Sequence, residues 1–441
     1  MRQFNKITWL VLLLGGFSAR SQQLLTVEEA VAAAMQNNYE IQLLRNDSAV
    51  AAVNNSYATA AFFPRINATT GLIANNNNLR QRLADGSERK RGGIRSNNIA
   101  ASVNLNWTVF DGLRMFATRD KLAEFVRLGE LNIRNQLVNT VSAVIQTYYN
   151  IVREKQQLKA IEEQMSLNEE RVTQAQKKLS VGLGAKPELL QAKVDLNAQI
   201  AARLRQLTLI EQLKEQLNLL MVMAENTRYE VDDSIPFRND LVVTDIMAQA
   251  ETNSPQLQVT QQNIKIAKLT LRENRADRFP TVSFNSAYNF SKTENQLVVN
   301  NFTPLFNRNM GFNYGVSASI PIFNNFNVKR LIKVAQLDID YQNTLYDYQR
   351  WQINTAISNA YKDYELQRKT LRLEEENILL AKENVYIASE RLRLGVTSYL
   401  ELRETQKSLE DAYNRLIAAR YSTKLAETEL LRLKGELVVQ R

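Results

Sequence analysis

The chain has 441 residues and a net charge of +9, from 55 Lys and Arg against 46 Asp and Glu, with neither Cys nor His. That composition excludes thiolate chemistry, disulfides, Cys/His zinc sites, histidine acid–base catalysis and lipid attachment at an N-terminal Cys. Acids and bases are interspersed rather than blocked, so the excess charge reads as a solvated surface; no nucleic acid and no cofactor is expected as a partner.

Residues 1–21 read as a secretory signal: Arg2 and Lys6 lead, Ile7 to Phe17 is apolar, and Ala19-Arg20-Ser21 offers a small-x-small cleavage site. The apolar run is too short to span a bilayer of about 30 Å. No later stretch has 18 consecutive apolar residues, so any membrane entry has to be as strands.

A first unit occupies residues 22–225. After an opening helix and Phe63-Pro64 come two strands, about 64–74 and 98–110. In the second, Ile99, Ala101, Val103, Leu105, Trp107 and Val109 alternate with Asn98, Ser102, Asn104, Asn106 and Thr108. Period two over that length means one apolar and one wet face, at a length suited to a tilted membrane strand of about 9 to 11 residues. Residues 75–98, with Asn75 to Asn78 and Arg80, Arg82, Arg89, Lys90, Arg91 and Arg95, read as a loop. It is either solvated and mobile or in contact with anionic lipid headgroups.

A long helix follows. Leu137, Val144, Ile151, Leu158, Met165, Val172 and Leu179 recur every seven residues among polar neighbours, a narrow seam of coiled-coil type. No Pro or Gly other than Gly129 falls between Leu113 and Val181, a segment of about 100 Å if helical throughout. The tip at 180–187 holds Val181-Gly182-Leu183-Gly184, where glycine stops the helix, and Pro187 then opens a return helix. Residues 226–240, with Asp232, Asp233, Ser234 and Pro236, read as a linker.

The second unit, residues 241–441, repeats the first. Ala143, Tyr148, Ala175, Gly182, Glu188 and Leu189 recur 213 positions later as Ala356, Tyr361, Ala388, Gly395, Glu401 and Leu402, and Phe63-Pro64 returns as Phe279-Pro280. Strands are expected at about 280–290 and 311–323, with a polar loop over 291–310 that includes Asn300, Asn301 and Asn307. A second heptad seam runs through Ile357, Tyr364, Leu371, Ile378, Val385 and Leu392. The second tip, 393–399, carries Leu394-Gly395-Val396-Thr397, followed by a Ser398 to Glu401 capping box.

Four strands cannot close a barrel, and open edges are not tolerated in lipid, so the chain has to associate. The order and spacing of the duplication, the Phe-Pro motifs, the apolar-Phe-x-Gly/Asn after each second strand and the two glycine tips resemble the TolC-like outer membrane efflux family over essentially the whole chain after the signal. The resemblance implies a mainly α fold with a small β part. Each protomer of a homotrimer would give four transmembrane strands to a 12-stranded β-barrel and long helices to a coiled-coil, α-helical periplasmic tunnel. It implies an outer-membrane channel that exports solutes passively, with outer-membrane lipid, a periplasmic adaptor (membrane fusion) protein and an inner-membrane pump as partners.

By the same resemblance Val181, Gly182, Leu183, Leu394, Gly395, Val396 and Thr397 match adaptor-contacting tip positions. Glu188, Glu401 and Glu404 match carboxylates at the periplasmic entrance, where nine acids in a trimer would favour cations. Glutamate also favours helix starts for its effect on the helix dipole. Leu392 and Thr397 stand where some members carry a Tyr and an Arg that lock the entrance, so that lock differs here. Two other readings remain: a periplasmic or cell-surface coiled-coil scaffold without a pore, and an enzyme using acids such as Asp232, Asp233, Glu374, Glu375 and Glu376, which sit in the linker and on a solvated helix face.

Overall fold

The computed structural model describes residues 23–238, 240–297 and 303–437. The expected signal, Asn300 and Asn301 lie outside the described residues. In chain order the elements are β1 (Gln23–Leu25), α1 (Val27–Asn37), α2 (Tyr39–Ser56), β2 (Arg65–Arg82), β3 (Glu88–Asp111), α3 (Arg114–Ser180) and α4 (Lys186–Met221). They continue as β4 (Tyr229–Val231), α5 (Val243–Asn253), α6 (Pro255–Ala276), β5 (Thr281–Asn295), β6 (Phe306–Ser319), α7 (Asn327–Arg393) and α8 (Tyr399–Lys434). The two long helices have 67 residues each and their return helices 36 each.

Each expected opening helix is in fact a pair. Asn38 ends α1 and caps α2, its side-chain oxygen accepting from the N–H of Glu40 (3.0 Å) and Ile41 (3.3 Å). Ser254-Pro255 makes the corresponding break between α5 and α6, because the residue before proline is pushed out of helical backbone.

The chain divides into two compact units, each drawing on both sequence halves. The first contains Ile133–Gln256, Arg350–Arg441 and the start of the chain to Leu44. Its core joins Ala30 and Ala34 of α1, Val144, Tyr148, Ile151 and Val152 of α3, Ile210, Leu213, Leu217 and Met221 of α4, and Tyr229 and Val231 of β4. The supposed linker is thus partly structural: β4 pairs in parallel with β1. The Tyr148 hydroxyl locks that pair, donating to the Leu25 carbonyl (2.8 Å) and accepting from the Asp232 N–H (3.1 Å). Burial raises the pKa of this phenol above the ordinary tyrosine range, which keeps its proton in place for the donation.

The α7 seam is buried throughout, from Ile357 and Tyr364 to Leu371, Ile378, Val385 and Leu392, and its middle, Leu371, Ile378 and Val385, packs with Leu409, Ala412, Leu416 and Ala419 of α8. The α3 seam is followed only in part. Val144 and Ile151 are buried, but beyond them the buried line moves to Ile161, Gln164, Asn168, Arg171 and Ala175. Polar partners on α4 and α8 draw that shift, through the Arg171 contacts described below.

The second unit holds Arg45–Asn132 and Leu257–Gln349, with one antiparallel sheet in the order β2-β3-β5-β6. Register sorts its side chains by polarity. Ala68, Val103, Tyr288 and Phe312 are successive cross-strand partners, as are Thr70, Ala101, Phe290 and Met310. One position along, Thr69, Ser102, Asn289 and Gly311, then Asn67, Asn104, Ala287 and Asn313, form the opposite face. That polar face ties itself together by Thr69 to Ser102 (2.8 Å), Asn106 to Asn285 (2.6 Å) and Asn285 to Ser317 (2.9 Å) hydrogen bonds.

The strands differ from their expected bounds in three ways. β2 and β3 run on through most of residues 75–98, leaving only a turn over residues 83–87 between them, and β5 and β6 likewise extend into the expected loop over 291–310. Those extensions are wet on both sides, so they carry no period-two hydrophobic signal. β6 stops at Ser319 rather than 323, where Pro321 has no N–H to give a ladder. A register shift between Thr108 and Phe110 sets Phe110, not Val109, opposite Val282, so the strict alternation ends at that bulge.

The joint from β3 to α3 is made by Gly112 at φ +71°, where a Cβ would fall 2.4 Å from the Ala276 carbonyl oxygen. Asp111 caps α3 by accepting from the Met115 N–H (3.0 Å). The second half makes its joint with Asn325 and Phe326, also at positive φ. Gly112→Ala combines left-handed strain with a backbone overlap, and is expected to lower stability by more than about 2 kcal/mol. Circular dichroism melts of the detergent-solubilised chain check this; an unchanged midpoint would refute the role given to the joint.

Candidate functional site

The chemistry-bearing region identified from sequence is the pair of helix–turn–helix tips in the first unit. Both turns have the same backbone solution. At the first, Gly182 (φ +75°) donates to the Leu179 carbonyl (3.1 Å) and Leu183 to that of Lys178 (2.9 Å). At the second, Gly395 (φ +74°) donates to Leu392 (3.1 Å) and Val396 to Arg391 (2.9 Å). These are Schellman stops, which satisfy carbonyls that the helix end leaves without partners.

The residues on either side of each glycine are exposed. Leu183 and Val396, which follow the glycines, are 82% and 65% exposed, and Val181 and Leu394, which precede them, are exposed alongside. Four apolar side chains thus stand in water at two adjacent turns. The tips are neighbours: the Lys178 ammonium lies 5.0 Å from the centre of the Tyr399 ring.

The three glutamates are not equivalent. Glu188 and Glu404 are exposed, and neither forms an ion pair among the described residues. Glu401 is engaged: it pairs with Arg391 (2.8 Å) and accepts from the Thr397 hydroxyl. Only half of the expected capping box forms. Ser398 accepts from the Glu401 N–H (3.3 Å), but the Glu401 carboxylate turns to Arg391, whose charge makes the stronger hydrogen bond. Leu392 is buried with Ala388 and Leu402, away from the exposed edge of the tip.

Sequence reasoning missed two features. Gly184 leaves no room for a side chain, since a Cβ there would lie 2.9 Å from the Leu179 nitrogen; its only sequence signal was a second glycine in the turn. Arg171, nearly fully buried, bonds to Asp195 of α4 and to Gln406 of α8 (3.3 Å), while Arg403 of α8 approaches Asp195 at 3.4 Å. This cluster binds α3, α4 and α8 above the tips. No periodicity announces it, because each partner is an ordinary polar residue on its own helix.

Three of the five acids considered for catalysis have structural partners. Asp232 accepts from the Ser234 hydroxyl (2.8 Å), Asp233 pairs with Lys155 (2.6 Å) and Glu374 with Arg415 (3.1 Å). Among the described residues no group of three or more acids, His or Cys is placed to hold a metal, and no helix is long and apolar enough to cross a membrane.

A family model described as outer membrane efflux protein matches residues 30–224 and 246–436. Among solved structures, the chain is similar to the CmeC outer membrane channel of Campylobacter jejuni, with 17% identity and a TM-score of 0.77 over 93% of this chain and 85% of that one. The open state of the MtrE outer membrane channel of Neisseria gonorrhoeae gives 15% identity and a TM-score of 0.70 over 93% and 89%. CusC, whose structures describe folding and transmembrane channel formation, gives 17% and 0.75 over 93% and 92%. No curated protein matches.

Removing one partner of the buried pair tests the cluster above the tips. Asp195→Leu leaves Arg171 buried without its counter-charge and is expected to lower stability by about 3 kcal/mol, whereas Arg171→Met with Asp195→Leu recovers most of that loss. Thermal midpoints of the two variants are compared; equal midpoints would show that the pair is not coupled.

Proposed function

The chain belongs to the outer membrane efflux protein family, and we propose that it is the outer-membrane channel-tunnel of a tripartite efflux or type I secretion system, through which solutes pass passively from an inner-membrane pump. The observation that carries the reading is the sheet of the second unit. It has one apolar and one amide-rich face, and both its edges, β2 and β6, lack a neighbour in the order β2-β3-β5-β6. An apolar face outside and a polar face inside suit a water-filled barrel. Free edges in lipid require pairing between copies, and three copies give twelve strands.

Exposed apolar stripes support the same association. Leu43 and Val50 on α2 with Tyr57 just past its end, and Val334, Tyr341 and Tyr348 on α7, recur every seven residues and remain exposed in the single chain. Such stripes are the seams a second helix fills in a coiled coil. The protein lies in the outer membrane, with its long helices in the periplasm. Val181, Gly182, Leu183, Leu394, Gly395, Val396 and Thr397 then face the periplasmic adaptor, and Glu188, Glu401 and Glu404 surround the entrance. The driving energy comes from the pump, and no reaction is assigned to this chain.

Two measurements test the reading. Light scattering in detergent is expected to give three chains per particle, and planar-bilayer recording a conducting pore; a monomer soluble without detergent would sink it. For the entrance, Glu188→Gln with Glu404→Gln is expected to reduce cation preference in the reversal potential. Glu401→Gln does so too, by leaving Arg391 unpaired. Unchanged selectivity in both would remove these glutamates from the entrance.

A further inference from the structure

Two cross-strand contacts at the hairpin end of the sheet set like charges against each other. Lys292 is the partner of Arg308, in the row Leu72, Ile99, Lys292 and Arg308, and farther out Arg80 is the partner of Lys90. Like charges directly opposite each other destabilise a sheet. By the alternation of the strands, the first pair lies on the apolar face, immediately above the Thr70, Ala101, Phe290 and Met310 row. The second stays on that face because the Gly92-Gly93 irregularity opposite Asn78 restores the register.

Internal acids compensate in part. Lys292 pairs with Glu294 (2.7 Å) and Arg80 with Glu88, but Lys90 and Arg308 form no ion pair among the described residues. The charged groups themselves lie over aromatic rings, with the Lys292 ammonium 5.7 Å from the centre of Phe306 and the Arg308 guanidinium 5.5 Å from that of Phe290. These are cation–π contacts, which hold a cation at the margin of an apolar face without neutralising its charge. The opposite end of the same face, in the rows Trp107, Phe284, Val316 and Phe110, Val282, Ala318, carries no charge.

Resting on the reading that the apolar face meets lipid, we propose that Lys292, Arg308, Arg80 and Lys90 form a belt that holds phosphate-bearing lipid headgroups in the leaflet at the hairpin end. A phosphate placed between each pair relieves the cross-strand repulsion and supplies the missing counter-charge. The occupant is a lipid because the belt is continuous with the apolar face that its acyl chains would cover. The Lys292–Arg308 pair borders the apolar face, and the Arg80–Lys90 pair, eight residues farther along β2, would meet phosphates farther from the hydrocarbon.

The test uses the full chain reconstituted in vesicles of equal parts phosphatidylglycerol and phosphatidylcholine, re-extracted in mild detergent, with the retained lipids quantified by mass spectrometry. The wild type is expected to retain phosphatidylglycerol in excess, and Lys292→Gln with Arg308→Gln to lower that excess by roughly fivefold per cation at low salt. Arg89→Gln, on the opposite face of the β2–β3 hairpin, is expected to leave it unchanged. Equal retention by wild type and double variant overturns the belt, as does an equal loss in Arg89→Gln, which would reduce the effect to net charge. Displacement of the lipid by millimolar inorganic phosphate would make it a free-anion site and overturn the lipid assignment. Bilayer conductance is recorded on the same preparations: a conducting wild type without lipid preference defeats the belt alone, whereas failure to insert defeats both the belt and the channel.

Discussion

Backbone amides along β2 and β6 govern what this chain is able to become. Each edge presents a row of N–H and C=O groups with no neighbour in the four-stranded order, and hydrocarbon offers them nothing to bond. A soluble sheet could blunt such edges with charge, but the face beside them is Ile66, Ala68, Val103, Tyr288 and Phe312, which water disfavours. The two demands, covered edges and a covered apolar face, are met together only when copies join their sheets and lipid surrounds them. The exposed heptads on α2 and α7 would suit the same association in the helices.

The first unit solves a different problem, holding long helices with a narrow seam. Leucine and isoleucine rows supply part of the packing, and buried polar contacts fix the register: Tyr148 on β1 and the Asp232 N–H, Arg171 on Asp195 and Gln406, and Glu427 accepting the Arg238 N–H (3.0 Å). A seam of apolar side chains alone permits sliding, because neighbouring heptads look alike. Directional bonds at intervals remove that freedom and bring the two glycine turns side by side.

Legibility from sequence followed the strength of the periodic signal. The α7 seam and the core of β3 were read correctly because burial on one side forces period seven or two. The outer parts of β2 and β3 were read as loop because strands that are wet on both faces have no such period, and Asn75 to Asn78 look like turn residues out of context. Pairing of β1 with β4 was illegible, since three residues on each side carry no pattern. At the tips, Gly182 and Gly395 announced the helix stops. The choice of Glu401 between Ser398 and Arg391, however, depends on the reach of a side chain one helix away, which spacing within a single helix does not encode.

The amide-rich face of the sheet has its own consequence for traffic. From Asn67 to Ile73 and their partners, that face carries Asn, Thr, Ser, Gly, Ala and one Ile, with no carboxylate or ammonium. Some of its side chains bond to one another, as Thr69 and Asn104 do to the Ser102 hydroxyl. A wall of this kind neither attracts nor repels an ion by fixed charge. In a channel such a face would act as a neutral sleeve, leaving the sorting of cargo to charged side chains elsewhere in the chain.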